Sequence, residues 1–181
     1  ANLRLAGFFR LVGGKVVAWA HSPRQLLALV VITSGILSAL FLNDTVVLMF
    51  TPLVVEVTRM LRRNPVPYLI GLAAAANIGS AATIIGNPQN MIIGVASGIP
   101  FGAFAASIAP ISLGGLAIVW VVIVLLYRRE FAFAALDRPA MRSPHVYKPL
   151  YYKSMAATVL LLVASLAGVP VALAALLAAA L

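Results

Sequence analysis

The sequence predicts an all-α polytopic membrane protein, and the first reason is its composition. Hydrophobic residues make up 63% of the chain and charged residues only 9%, whereas about 25% of the residues in a soluble domain are charged. Second, the Lys and Arg residues that produce the net charge of +9 lie in short clusters between apolar runs, which is typical of cytoplasmic loops and not of a nucleic-acid surface. Third, a polar, helix-breaking stretch from Gly86 to Asn90 interrupts an apolar segment. In hydrocarbon, such a break is tolerated only where the free backbone groups line a cavity or bind something.

We expect membrane spans to be missing at both ends of this sequence. Residues 1–24 alternate apolar side chains with basic ones, and they fit either an amphipathic helix in the membrane interface or the end of a span outside this sequence. The last apolar run, which begins at Val171, is too short to span a bilayer by itself. We therefore expect this sequence to be part of a longer chain.

Residues 25–63 contain two apolar runs joined by the polar tripeptide Asn43-Asp44-Thr45. Both outer ends lie beside arginines, so both are expected on the same side of the membrane. Two arrangements fit: a pair of full spans joined in the far headgroup region, or a re-entrant helical hairpin whose polar tip stops inside the bilayer. The second run is short and contains Pro52, which favours the re-entrant hairpin.

Residues 66–97 are too long for one plain span, and the stretch from Gly86 to Asn90 is expected to divide them into two half-helices. In this stretch, Gly86 is expected to permit unusual backbone dihedrals, Pro88 removes a donor, and three side-chain amides supply donors and acceptors. Carbonyl oxygens of the first half could hold a cation, and the N-terminus of the second half offers a positive dipole end to an anion. The alternative is a kink that serves only the packing of helices.

The rest of the chain continues the pattern of spans and loops. We expect a transmembrane helix at residues 103–127, a cytoplasmic basic loop at 128–149, and a further transmembrane helix with the start of the next at 150–181. The uncharged turns at Gly98 and Gly168 are expected outside, and the basic clusters at Arg62 and Arg128 inside.

Asp44 is the only acidic residue deep in an apolar region of the sequence. An ionised carboxylate there is costly, so it must be paired, hydrated or protonated. This predicts a proton or cation site; the compatible alternative is a helix N-cap, for which Asn-Asp-Thr is also a good sequence.

Asn77, Ser80 and Thr83 recur at every third residue, and they are predicted to share the helix face that leads to the break. They fit solute binding or close packing between helices. The two histidines lie in basic interfacial stretches and are expected to be solvated. We find no nucleotide loop, catalytic triad or metal-binding motif, so the sequence predicts no enzyme, no cofactor and no structural metal.

Two segments together resemble a known family: Ser38-Ala-Leu-Phe-Leu-Asn-Asp-Thr-Val-Val-Leu-Met-Phe-Thr-Pro52 and Ala76-Asn-Ile-Gly-Ser-Ala-Ala-Thr-Ile-Ile-Gly-Asn-Pro-Gln-Asn90. They are similar to the ion transporter superfamily, which contains arsenite efflux permeases, citrate and dicarboxylate symporters, and related silicon and sodium/proton transporters. The resemblance covers most of residues 1–170. It implies two inverted repeats, each with a re-entrant hairpin followed by a broken helix, of which this chain would be the first half.

The resemblance also implies that the hairpin tip and the break form the ion and substrate site. The residues implied for ion coupling are Asn43, Asp44, Thr45, Gly86 and Asn87, with a transient sodium ion at Asp44 and Gly86. Those implied for substrate binding are Thr45, Asn77, Ser80, Thr83, Asn87, Pro88, Gln89 and Asn90. Carboxylate symporters of the family carry Ser-Asn-Thr at the tip and a Gly-Thr-Pro-Pro-Asn type of break, whereas this chain has Asn-Asp-Thr and Gly-Asn-Pro-Gln-Asn.

An acid at the tip is more similar to the arsenite permeases. The expected function is therefore secondary active transport, in the inner (plasma) membrane, of a small inorganic anion or its neutral acid, coupled to protons. A sodium-coupled citrate or dicarboxylate symporter, a sodium/proton antiporter and a structural membrane module without transport are the alternatives. The expected partners are the lipid bilayer, the small solute and a coupling proton or sodium ion; a homodimer is left open and no nucleic acid is expected.

Overall fold

The computed structural model describes residues 19–132 and 148–179. All regular secondary structure in these residues is α-helical, which confirms the predicted all-α class. The helices are α1 (Pro23–Leu40), α2 (Asn43–Met60), α3 (Pro65–Ser80), α4 (Pro88–Ser97), α5 (Phe101–Leu126), α6 (Lys148–Leu166) and α7 (Val171–Ala179). The predicted interfacial segment at residues 1–24 and the predicted basic loop at 128–149 lie mostly outside the described residues.

Three of these helices are long and apolar enough to cross a membrane, by length and composition: α1, α5 and α6. Helix α5 has 26 residues and a mean hydropathy of 2.5, and at 1.5 Å per residue it is about 39 Å long. This exceeds the hydrocarbon core of a bilayer, which is about 30 Å thick. Apolar side chains cover much of the outer faces of α5 and α6, as contact with lipid requires.

Helices α1 and α2 form a hairpin with a very short connection. The side chain of Ser22 accepts a hydrogen bond from the backbone N–H of Gln25 at the start of α1, and α1 ends at Leu40. Only Phe41 and Leu42 separate the two helices. The predicted tip, Asn43-Asp44-Thr45, is therefore not a linker but the first turn of α2, because its short polar side chains suit the free N–H groups at a helix start.

The end of α2 carries an unusual backbone conformation. Arg62 has a φ of 53°, in the left-handed region, and the next N–H, that of Arg63, donates to the carbonyl of Thr58 at 2.8 Å. This is a helix ending that most often uses glycine. Helix α3 begins directly afterwards, with Pro65 in its first turn and the Asn64 side chain accepting from the Val66 N–H at 3.0 Å.

Helix α3 lies at the centre of the bundle, where it contacts α1, α2 and α5. Its closest neighbour is α1, at a crossing formed by Gly35 and Gly79: a Cβ atom on Gly79 would lie 2.5 Å from the Cα of Gly35. Larger side chains fill the space towards the other end of this crossing, where Leu27 and Leu72 are buried. The chain segment that follows α3 is consequently held in the interior.

The starts of α1 and α3 meet the end of α5. The Tyr68 hydroxyl donates to Glu130 Oε1 at 3.5 Å, and its ring packs edge-on against Phe131 with centroids 5.7 Å apart. Arg24 Nε donates to the Phe131 carbonyl at 3.2 Å, and Trp120 Nε1 donates to the Arg24 carbonyl at 3.1 Å. These contacts hold the three helices together at the end that carries the predicted cytoplasmic charges.

Candidate functional site

The break between α3 and α4 comprises residues 81–87, so it begins earlier than the sequence pattern indicated. The predicted stretch from Gly86 to Asn90 belongs only partly to it. Pro88, Gln89 and Asn90 form the first turn of α4, because proline suits the first helical position and the side chain of Asn87 caps this turn. Asn87 Oδ1 accepts from the Asn90 N–H at 2.8 Å.

Gly86 is required for close approach and not for an unusual dihedral angle. Among the described residues, Gly98 and Gly168 are the glycines with positive φ, so the predicted reason for Gly86 is wrong. A Cβ atom on Gly86 would collide with the carbonyl oxygen of Ser80 and would lie 2.7 Å from its Cα. The break therefore folds back against the last residue of α3.

The hairpin tip touches the break directly. The backbone N–H of Asn43 donates to the Gly86 carbonyl at 3.1 Å, and Asn43 Nδ2 donates to Asn77 Oδ1 at 3.0 Å. On the other side, Thr83 Oγ1 donates to the carbonyl of Ala39, near the end of α1. Both helices of the hairpin are thus bonded to the break or to the last turn of α3.

A second set of hydrogen bonds runs along the break. Asn87 Nδ2 donates to Ser80 Oγ at 3.2 Å, and Ser80 Oγ donates to the Asn77 carbonyl at 2.8 Å. Thr83 lies beyond the end of α3, so the predicted helix face holds for Asn77 and Ser80 only. The helix stops before Thr83 because the threonine hydroxyl and the nearby carbonyls bind groups on other elements.

The carbonyl oxygens at the end of α3 are occupied by a side chain. Asn90 Nδ2 lies 2.9 Å from the Thr83 oxygen, 3.1 Å from that of Ala81 and 3.4 Å from that of Ser80. The sequence pattern predicted that carbonyl oxygens of this region could hold a cation. In the structure they face an amide NH2 group.

Asp44 and Thr45 are exposed on the first turn of α2. No side chain caps this helix, whose N-cap residue is Leu42; Asn43 Oδ1 accepts only from the adjacent Asp44 N–H at 2.9 Å. Within residues 19–132 and 148–179 the Asp44 carboxylate has no hydrogen bond or ion pair, and it gains only the favourable field of a helix N-terminus. Pro88 and Gln89 are exposed in the same way on the first turn of α4.

The Asn43–Gly86 hydrogen bond brings the start of α2 to the residue that precedes the cap of α4. The first turn of α2 carries a carboxylate and a hydroxyl, and the first turn of α4 carries side-chain amides. Helix N-termini favour negatively charged or oxygen-rich groups, while Asp44 favours a proton, a cation or a hydroxyl donor. In the described part of the chain, no three His, Cys, Asp or Glu side chains are grouped as a metal site would need.

The residue that sequence reasoning missed is Gly35. It forms the backbone contact with Gly79 that sets the distance between the hairpin and α3. The signal was present in the sequence, because Ser34-Gly35 in α1 and Gly79-Ser80 in α3 are both pairs of small residues, which membrane helices use for close approach.

Comparison with known proteins agrees with these features. A family model described as a citrate transporter matches residues 1–181. The silicon efflux transporter LSI3 of Oryza sativa subsp. japonica is 39% identical over 129 residues, which is 71% of this chain and 26% of that protein. The 46 kDa membrane protein of Mycobacterium leprae (strain TN) is 34% identical over 131 residues, 72% of this chain and 30% of that protein.

The inner membrane protein YbiR of Escherichia coli (strain K12) is 34% identical over 111 residues, 61% of this chain and 30% of that protein. The chain therefore spans between 26% and 30% of the length of these relatives. No solved structure is significantly similar to it. The family match confirms the resemblance to the ion transporter superfamily: this chain belongs to the citrate transporter family, and it is a multi-pass membrane protein.

Proposed function

We propose that this chain supplies half of the solute and ion site of a secondary active transporter in the plasma membrane. The observation that carries the proposal is the contact between the hairpin tip and the broken helix, the 3.1 Å hydrogen bond from the Asn43 N–H to the Gly86 carbonyl. Discontinuous helices whose ends meet inside a membrane domain are the usual construction of transporter sites. A membrane protein without a solute has no evident need for this costly arrangement.

The exposed groups at this contact argue against a structural module. A break that served only packing would turn its polar side chains towards backbone groups of the protein, as Ser80, Thr83 and Asn90 do. Asp44 and Gln89, in contrast, are exposed on the two first turns. An exposed carboxylate at membrane depth requires water, a proton, a cation or a solute beside it.

We propose a small inorganic anion of the arsenite type, or its neutral acid, as the solute. The N–H groups of Thr45 and Gln89, in the first turns of α2 and α4, can donate to its oxygen atoms, and a neutral hydroxy acid can donate a hydrogen bond to Asp44. A highly charged carboxylate such as citrate would be repelled by Asp44 unless that residue were neutralised. The 39% identity to a relative named as a silicon efflux transporter supports a small inorganic solute.

The coupling ion proposed is the proton, with Asp44 as the residue that takes it up. Among the described residues the Asp44 carboxylate has no partner, and at membrane depth it then has two stable conditions: protonated, or beside a cation. Protonation removes its charge and allows an oxyanion to bind at the two helix starts. Binding of the proton and of the solute would then be linked at one place.

A sodium-coupled citrate or dicarboxylate symporter is the second candidate, and the family description over residues 1–181 favours citrate as its solute. In that case a sodium ion beside Asp44 and the Gly86 carbonyl would neutralise the carboxylate. The chemistry of the site is otherwise the same, so the solute and the ion must be separated by measurement.

The test is transport by the full-length protein in proteoliposomes with imposed gradients. We expect a pH gradient in sodium-free buffer to drive movement of arsenite or silicic acid, and a protonophore to abolish it. Strict sodium dependence with citrate or succinate as the solute would replace this proposal with the second candidate. Exchange of sodium for protons without any solute would indicate an antiporter, and no flux of any kind would favour a structural module.

A further inference from the structure

The side-chain amide of Asn90 makes an unusual set of contacts. Its Nδ2 atom lies between 2.9 and 3.4 Å from three backbone carbonyl oxygens, those of Ser80, Ala81 and Thr83. All three partners are acceptors only, so the nitrogen and not the oxygen of the amide must face them. One nitrogen atom therefore sits inside a small cage of carbonyl oxygens.

These carbonyls need a positive or donating partner. They belong to the last residue of α3, Ser80, and to two residues just beyond it, where the last carbonyls of a helix have no N–H in the next turn and the helix dipole is negative. The break supplies little else: the Gly86 N–H reaches the Thr83 carbonyl at a long 3.4 Å. In a membrane domain, unsatisfied carbonyl groups cost several kcal/mol each, and a cage of this kind is suited to a bound cation or to a donor.

We propose that Asn90 is a positioning residue whose NH2 group takes the place of a cation at the end of α3 and so holds the break in shape without a bound ion. This differs from the substrate-binding role that the sequence pattern indicated for Asn90. The amide has two N–H groups, and three carbonyls already face them, so no donor is left for a solute.

The consequence reaches the exposed side of the break through Asn87. The backbone N–H of Asn90 donates to Asn87 Oδ1 at 2.8 Å, and Asn87 Nδ2 donates to Ser80 Oγ at 3.2 Å. The cage thus fixes the residue that caps α4 beside the hairpin tip. A contact between Asn87 and a solute rests on the proposed function. The cage of carbonyl oxygens around Asn90 does not depend on that function.

The substitution Asn90→Asp separates this role from a general role in packing. It keeps the size of the side chain but places carboxylate oxygens against three carbonyl oxygens, which repel one another unless a cation or a proton lies between them. In Asn90→Asp the stability of the break should therefore depend on a bound cation or proton, whereas in the unsubstituted protein it should not. A residue that merely fills space would give no such dependence.

The experiment is thermal unfolding of the full-length protein in detergent, in choline chloride and in sodium chloride of equal ionic strength, at alkaline and at mildly acidic pH. In choline at alkaline pH we expect the unfolding midpoint of Asn90→Asp to fall by about 5 °C or more relative to the unsubstituted protein. Sodium or acid should restore most of this loss. The matched control is Asn64→Asp, which makes the same change on an exposed side chain outside the site; Asn64 caps α3 by accepting from the Val66 N–H, a role that a carboxylate keeps, so this variant should gain no such ion or pH dependence.

A midpoint for Asn90→Asp that equals the unsubstituted value under all four conditions would overturn the proposal, and so would an equal ion dependence in Asn64→Asp. If Asn90→Asp cannot be purified, Asn90→Ser and Asn90→Ala decide the question. The serine variant keeps one donor and should unfold between the unsubstituted protein and the alanine variant, whereas equal midpoints for all three would overturn the proposal. Because unfolding requires no transport, a failure of the proposed function in vesicles would leave this result standing.

Discussion

Replacement of Gly79 by alanine tests whether the crossing of α1 and α3 holds the site together. An added Cβ would lie 2.5 Å from the Cα and 2.6 Å from the carbonyl carbon of Gly35. Ordinary contacts of a Cβ atom begin near 3.4 Å, so the two helices would have to separate by about 1 Å. Backbone atoms cannot rotate away as a flexible side chain can.

The energetic cost follows from this geometry. Overpacking costs about 1–3 kcal/mol, and a clash with backbone belongs at the upper end of that range. Alanine is better than glycine in a helix by about 0.5–1 kcal/mol, so the net loss for Gly79→Ala is about 2 kcal/mol. The matched control is Gly114→Ala in α5, where an added Cβ meets nothing within 4 Å and only the gain in helix propensity remains.

The two variants should therefore differ by about 3 kcal/mol in the free energy of unfolding, with the lower unfolding midpoint in Gly79→Ala. Both can be measured by thermal unfolding of the full-length protein, together with transport in proteoliposomes. Transport should fall in Gly79→Ala as well, because separation of α1 from α3 lengthens the Asn43–Gly86 and Thr83–Ala39 hydrogen bonds. Equal stability of the two variants would show that the close crossing does not exist.

Three further substitutions test other parts of the site. Asp44→Asn should leave the fold intact, since Asp44 provides no side-chain cap to α2, but flux in vesicles should no longer respond to a pH gradient. An unchanged response would place the coupling residue elsewhere. Asn87→Ala should raise the KM for the solute and cost about 1 kcal/mol of stability through the lost cap. Asn87→Ser, which can still cap the helix, should keep that stability. If the KM of Asn87→Ala equals that of the unsubstituted protein, Asn87 has no role in binding. Arg62→Gly should raise the free energy of unfolding by about 1 kcal/mol, because a φ of 53° costs a residue with a side chain about that much. A lower free energy of unfolding would mean that a contact of the arginine side chain stabilises the fold by more than the strain costs.

The local sequence determines much of this protein because lipid and helix geometry act on short stretches of chain. An apolar composition with few charges allows only structures that satisfy their own backbone, and helices do so within each segment. The start of α3 at Pro65 follows from the fixed φ and missing N–H of proline, and the polar tripeptide at Asn43 and the interruption before Pro88 are visible as departures from the apolar pattern. The family was also recognisable from these two segments alone.

Tertiary contacts decide where the helices stop and what each polar residue does. Residues 77–85 have no local reason to leave the helix at Ser80, and the sequence therefore suggested a break several residues later. The helix ends there because Asn90 binds the carbonyls of residues 80, 81 and 83, and because Thr83 donates to Ala39 on another helix. Gly86 is likewise required by a contact with another part of the chain, because an added Cβ atom would collide with the Ser80 carbonyl oxygen. Hydrogen bonds and close approaches between distant parts of the chain depend on the packed arrangement, so spacing and composition do not reveal them.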